Sequence, residues 1–389
     1  MRTAAIVAEY NPFHNGHAHH LRMTREAGFD AVFAVMSGNF VQRGEPAAFS
    51  KWARAEAAVR CGVDLVLELP VYWAASSAQQ FARGAVSIIR HTGVADVLSF
   101  GSECGDADRI RKTADLLRSL LISPQLLRSG SSFAAAREAA VRVMDNDAAE
   151  LLRTPNDTLA VEYVQAARHC GLDAALLAVP RIGAHDGDPF DAFSSASYIR
   201  SNLSRQIIEN YCPQTSAQIL LREIAAGKAP ADLRLLEREI LLRLRTISAE
   251  QLASVPDISE GLENRILACA RSASSLEELA DSIKTKRYPL ARIRRILLGV
   301  LLGTDRAQIP PDVPYLRVLA IGRRGAELLR AMKKKADLPI VSKMTQIESL
   351  GEAAVHTFRA ECLAGEVYAL LQPQAHPAGA EWTSPITVL

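Results

Sequence analysis

Four histidines fall within seven residues, His14, His17, His19 and His20, and Gly16 lies between the first two. Imidazole N–H groups brought together at a helix start can donate to phosphate oxygens, beside free main-chain N–H groups and the positive end of the helix dipole. Gly16 has no side chain to keep a phosphate or a flat base away from the main chain. The same residues invite a second reading, a metal cluster, since imidazole is a common metal ligand. Against it, no cysteine and no carboxylate other than Glu9 lies nearby to complete a set.

The surrounding elements decide between these readings. Thr3–Ala8 is a short apolar run with β-branched Ile6 and Val7, which predicts a buried strand. Asn11-Pro12 breaks it, and a helix is predicted from Asn15 through Ala27 with Gly28 as its stop. The histidines therefore fall at the C-terminal edge of a first strand, where open parallel sheets bind ligands. Further strands are predicted at Ala31–Met36, Asp64–Leu69, Ala95–Phe100 and Ala174–Val179, alternating with helices at Lys51–Arg60, Ser77–Thr92 and from Pro155 to Cys170. This alternation predicts an α/β fold with a doubly wound parallel sheet. Residues 106–152 interrupt it as a helical insertion with a polar break near Ser129–Ser132.

Other strand ends carry further candidates. Gly101 follows the fourth strand, Asn156 starts a helix, and Arg181 follows the fifth strand. A polar loop over 183–193 then leads to Ser194 and Ser195, either of which can cap a helix carrying Arg200. Gln42, Arg43, Lys51 and Arg54 lie on the loop and helix after the second strand, where they can meet phosphate or RNA. Taken singly, each has an ordinary explanation: a turn glycine, a helix cap, an exposed arginine, a solvated helix face.

The string from Glu9 to His17, EYNPFHNGH, resembles the H-x-G-H signature of the nucleotidyltransferase superfamily, and the wider context resembles its bacterial tRNA(Met) cytidine acetate ligase branch. Phe193 to Arg200, FSSASYIR, resembles the superfamily's second signature, with Phe193 in place of Ile and Ala196-Ser197 altering its middle. The resemblance implies a Rossmann-like catalytic domain over residues 1–203. It implies ATP held by Val7, Ala8, Glu9, Tyr10, Asn11, Pro12, Phe13, His14, Asn15, Gly16, His17, Ala18, His19 and His20, together with Gly101, Asn156 and Arg181. Ser195 and Arg200 would close on the triphosphate, and Mg2+ would bridge the phosphates. His14 and His17 would stabilise transition-state charge while acetate attacks the α-phosphate. The acetyl group would then pass to N4 of the wobble cytidine of elongator methionine tRNA, held by its anticodon arm.

Beyond residue 203 helical periodicity dominates, with a small strand–helix–strand unit near 313–344 and a last stretch from Gln372 read as loop or loosely packed tail. The net charge is +2, but residues 281–344 carry 15 Lys and Arg against 5 Asp and Glu. A local balance of +10 in an otherwise acidic chain predicts a polyanionic partner. Lys284, Lys286, Arg287, Arg292, Arg294 and Arg295 form one candidate RNA-binding cluster, with Tyr288 able to stack on a base, and Arg323 and Arg324 belong to a second. The six cysteines show no C-x-x-C spacing, no metal site is predicted, and no apolar run is long enough for a membrane span, so a cytoplasmic protein is expected. An adenylyltransferase of a small cofactor precursor would use the same turn but has no need of the basic block. A non-catalytic RNA-binding protein with a relic nucleotide fold would not need His14, His17 and Arg200.

Overall fold

The first strands are almost entirely apolar, as burial on both faces requires. In the computed structural model, which describes residues 1–120, 132–182, 191–259 and 261–389, β1 (Thr3–Ala8) and β2 (Ala31–Ser37) run parallel, with Thr3 opposite Ala31 and Ala8 opposite Met36. β3 (Leu65–Leu69), β4 (Val97–Ser102) and β5 (Ala175–Pro180) join them in parallel, giving the order β5-β4-β1-β2-β3. The chain reverses its direction of travel across the sheet between β1 and β4, so their C-terminal ends flank a topological switch point.

Alternate side chains feed two cores. Ala31, Phe33 and Val35 of β2 face the helices Ala78–Thr92 and Pro155–Cys170. Val32, Ala34 and Met36 face α1 (Asn15–Glu26) and α2 (Lys51–Arg60). The insertion supplies helices Ala107–Ser119, Phe133–Arg142 and Asn146–Leu151, with Ile110, Ala114 and Leu151 in the first core. Its expected polar break at 129–131 and most of the polar loop, residues 183–190, lie outside the described residues.

Three expectations change. The chain stays against the sheet past residue 203: Ile208, Ala217, Ile219 and Leu220 pack into the second core, beneath α1 and α2, and Ser216 Oγ donates to the Phe13 carbonyl at 2.8 Å. The strand–helix–strand near 313–344 forms, but its first strand, β6 (Leu316–Ile321), pairs antiparallel with β3 and extends the main sheet, followed by β7 (Ile340–Val341). The last stretch is packed, not loose: Glu381 is buried, Trp382 meets the Phe358 ring edge-on at 4.9 Å, and β8 (Thr387–Val388) pairs with β6. A separate apolar core unites the helices between Leu236 and Leu302 with Leu371, and takes in Phe40 and Val71 from the sheet's C-terminal edge. Among the described residues no helix is long and apolar enough to cross a membrane.

Candidate nucleotide-binding active site

The spacing of His14 and His17 first serves the helix they start. His14 is the N-cap of α1: its Nδ1 accepts from Gly16 N at 3.0 Å, and its own main-chain N donates to His17 Nδ1 at 3.2 Å. This is a capping box built from imidazoles instead of Ser and Glu. The two rings lie 3.9 Å apart. Because each Nδ1 accepts a main-chain N–H, each proton sits on Nε2. Burial, then the charges of Arg181 and Arg200, push His14 down to about 3, and burial also pushes His17 well below its ordinary range. Both rings are therefore neutral near pH 7, each with one N–H left to donate.

Gly16 proves necessary for a reason the sequence did not give. A Cβ there would stand 2.7 Å from His14 Cε1, so the glycine makes room for the capping ring itself. Tyr10, at the turn, takes a positive φ of 47°, and its buried ring packs edge-on against His17 at 4.9 Å.

These residues line a cavity of about 320 Å3 at the switch point. Gly101, Asn156, Arg181, Ser195 and Arg200, named from sequence, line it too, as do Gln42 and Arg43. A Cβ on Gly101 would meet nothing nearer than Arg181 Cγ at 3.7 Å, so protein packing does not demand glycine there. Its bare backbone instead leaves space open to the cavity. Two carboxylates hold this wall. Glu103 accepts from Asn156 Nδ2 at 2.5 Å and from Asp157 N at 2.9 Å, while Asp157 accepts from Ser102 Oγ, Glu103 N and Cys104 N. With its amide nitrogen so engaged, Asn156 turns Oδ1 toward Arg181 Nη1 at 3.5 Å. Arg181 Nε is buried and, among the described residues, has no partner. Arg200 Nη1 donates to the Asn11 carbonyl at 2.7 Å and so ties the second signature to the first.

The serines divide their work. Ser195 Oγ caps the helix Ala196–Ser201 by accepting from Tyr198 N, whereas the buried Ser194 Oγ has no partner among the described residues. Ser194 is thus the hydroxyl available to a ligand, a choice that depends on rotamers and not on sequence. Sequence reasoning also missed Phe81, Phe100, Leu159 and Tyr163, which supply an apolar wall. They come from strand and helix interiors that read as ordinary core.

A family model described as HIGH Nucleotidyl Transferase matches residues 1–381. The tRNA(Met) cytidine acetate ligase of Syntrophomonas wolfei is 39% identical, with 99% of each chain covered, and that of Thermoanaerobacter sp. strain X514 is 36% identical over the whole of both. The chain belongs to the HIGH nucleotidyl transferases, in their tRNA(Met) cytidine acetate ligase branch. The crystal structure of Thermotoga maritima TmcAL bound with alpha-thio ATP superposes with a TM-score of 0.92 at 32% identity, and the apo form with 0.94 at 33%, each covering all of both chains.

Not every candidate of this nucleotidyl transferase reaches the site. Lys51 and Arg54 contact neither phosphate nor solvent: both are fully buried. Arg54 donates to the carbonyls of Glu9, Ser37, Gly38 and Phe49, binding the ends of β1 and β2 together. Lys51 lies in an ion cluster with Glu68, Glu361 and Glu381.

The basic block also divides. Arg294 pairs with Glu45, Arg295 reaches Asp257 at 2.5 Å, and Arg292 donates to the Asp257 carbonyl and to Ser259 Oγ. Arg294 and, through the Gln42 carbonyl, Arg295 tie the helix Leu290–Leu302 to the 42–45 loop, while Arg292 and Arg295 tie it to the 257–259 segment; a Cβ on Gly44, whose φ is +75°, would collide with the backbone of Arg294 and Arg295. The Tyr288 ring already carries the guanidinium of Arg292 at 5.3 Å. Lys284 and Lys286 are exposed just before that helix, which packs on the 42–45 loop at the cavity. Arg323 and Arg324 lie elsewhere. β6 runs antiparallel to β3, so Ile321 pairs with Leu65 at the start of β3, and Arg324 donates to the Asp30 carbonyl ahead of β2. That is the sheet edge opposite the nucleotide cavity.

Proposed function

We propose that this chain is a tRNA(Met) cytidine acetate ligase. ATP lies across the switch point, its base side toward Gly101 and the apolar wall, its phosphates toward the start of α1. Acetate attacks the α-phosphate, forming acetyl-adenylate and pyrophosphate. The Nε2–H groups of His14 and His17 and the guanidinium groups of Arg181 and Arg200 meet the charge that grows on the phosphate oxygens. The imidazoles are neutral, fixed by their caps and held out of water, so they need no reorganisation as the reaction proceeds. The amine of the wobble cytidine then attacks the acyl carbonyl and AMP leaves. Among the described residues no group of three His, Cys, Asp or Glu side chains is placed to hold a metal. Mg2+ in this reading arrives on the triphosphate, held chiefly by phosphate and water oxygens, and neutralises phosphate charge.

The observation that carries this reading is the pair of neutral imidazole donors facing the same cavity as Arg181 and Arg200. They sit in a chain that matches cytidine acetate ligases from end to end. The RNA approaches over the loop 42–45 and the exposed Lys284 and Lys286, with Arg287 beside them, and cytoplasmic elongator methionine tRNA offers its anticodon arm there. The test is incubation with ATP, labelled acetate and bulk tRNA, followed by nucleoside analysis. Label in N4-acetylcytidine of methionine tRNA is the expected result. Adenylate transfer to a small phosphorylated acceptor, with no label in RNA, would favour the cofactor adenylyltransferase instead.

A further inference from the structure

The cavity is rich in donors, yet acyl transfer to an amine also requires an acceptor. When nitrogen attacks the carbonyl, a proton must leave nitrogen, and a group within reach must take it. The imidazoles are poorly suited. His14 and His17 spend Nδ1 on main-chain N–H groups and present N–H to the cavity. His19 Nδ1 lies 3.0 Å from Arg22 Nη2, a group that can only donate, so its Nε2 carries the proton. His20 Nε2 is engaged by Ser99 Oγ at 2.8 Å and so is not free to take the proton.

Among the described residues two carboxylates line the cavity, Glu9 and Glu45. Glu45 is committed to Arg294. Glu9 uses only Oε1, which accepts from Gln42 N at 3.0 Å, and among the described residues Oε2 has no partner. Its position fits the acceptor. Glu9 follows β1, with the Gly101 and Arg181 wall on the β4 and β5 side and the Gln42 loop on the β2 side. The bond to Gln42 draws it toward the β2 side, where the 42–45 loop is backed by the helix Leu290–Leu302.

We propose that Glu9 is the base of the second half-reaction, its Oε2 accepting a proton from the exocyclic amine as that nitrogen attacks the acetyl carbonyl. The proposal rests on the acyl-adenylate reading above. The new N–C bond forms as the acyl C–O bond to phosphate breaks. The electron pair leaves on AMP's phosphate oxygen, and one amine proton passes to Glu9 and then to water. The first half-reaction has no such need, because acetate attacks as an anion with no proton to lose.

That asymmetry supplies the test. Glu9→Gln keeps an oxygen to accept from Gln42 N but removes the basic site. Single-turnover pyrophosphate release is measured with ATP and acetate, then acetyl transfer after tRNA is added. Transfer from acetyl-adenylate should fall about 100-fold or more, the scale of a lost general base, and much further than pyrophosphate release falls in the same variant. Glu9→Asp, which keeps a carboxylate on a shorter arm, should retain more transfer than Glu9→Gln. Equal losses in both steps, parental transfer by Glu9→Gln, or a reversed order of the two variants would overturn the assignment. Acetylation of tRNA by the parent chain is the control: its failure would remove the functional reading itself, whereas its success with any of those results would remove only Glu9.

Discussion

At the scale of single residues, the first turn of α1 combines two jobs that substitution can separate. His14 and His17 each use one ring nitrogen for the helix and the other for the cavity. Asn is a strong N-cap, and Gln at the third helical position can complete a capping box. His14→Asn and His17→Gln should therefore fold with melting temperatures near the parent's, yet lose about 100-fold or more in adenylate formation, the cost of removing one preorganised donor. ATP–pyrophosphate exchange with acetate reads this directly; near-parental exchange in both would deny them a role in charge stabilisation. Arg181 is a different case, because its buried Nε lacks a partner among the described residues while Asn156 turns toward its head. A charged hydrogen bond contributes about 1.5–3 kcal/mol. Arg181→Ala should accordingly weaken ATP binding about 10- to 100-fold by calorimetry. Unchanged affinity would make it a structural arginine.

At the scale of elements, what could be read from sequence was local. A strand, a proline turn and a helix start follow from residues 3–28 alone, and strand ends in a parallel sheet necessarily gather Gly101, Asn156 and Arg181 at one edge. What could not be read was pairing across long separations. The Lys51 helix face looked like a solvated one because its partners Glu361 and Glu381 lie some three hundred residues away. The basic block looked uniform because nothing local reveals that Arg294 meets Glu45 or that β6 enters the sheet antiparallel. Its division makes a prediction. Neutralising Lys284, Lys286 and Arg287 to Gln should weaken tRNA binding and lower the slope of log affinity against log salt, by up to about 0.9 for each lost phosphate contact. Arg323→Gln with Arg324→Gln, at the opposite edge, should leave that slope unchanged. Filter binding across a salt series decides it, and equal effects of the two sets would return the RNA surface to the whole block. Neutralising Arg294 and Arg295 should instead loosen the 42–45 loop and impair adenylate formation, even without RNA.

The whole molecule is fastened by charges taken out of water. Lys51 and Arg317 meet Glu68, Glu361 and Glu381 in a fully buried cluster, joining α2, β3 and β6 to the long helix Glu352–Leu370 and the final helical turn. Removing one member strands the others, so Lys51→Met should cost about 3–5 kcal/mol in denaturant unfolding. Burial opposes ionisation of Glu68, but Arg317 and Lys51 outweigh it and hold the carboxyl down at about 2. Burial, then the charge of Glu68, push Glu361 up to about 8. A carboxyl raised in the fold binds more protons there than in the unfolded chain, so its contribution is full below its ordinary value of 4.5 and is lost as pH rises toward 8. The buried imidazoles act in the other direction. His14 and His20 fall from 6.5 to about 3 and about 4, so the unfolded chain takes protons first, and stability is lost as pH drops below 6.5. Stability should thus peak near neutrality, with an acid arm set by the nucleotide turn and an alkaline arm set by the cluster. Denaturant midpoints taken at about pH 5, 7 and 9 test both arms. Glu361→Gln should remove the loss above about pH 7 and steepen the rise from about pH 5 to 7, whereas His14→Asn with His20→Asn should flatten that rise and leave the alkaline side unchanged. A parent profile that is flat from acid to alkaline, or a Glu361→Gln variant that loses as much as the parent between about pH 7 and 9, would contradict this division between site and scaffold.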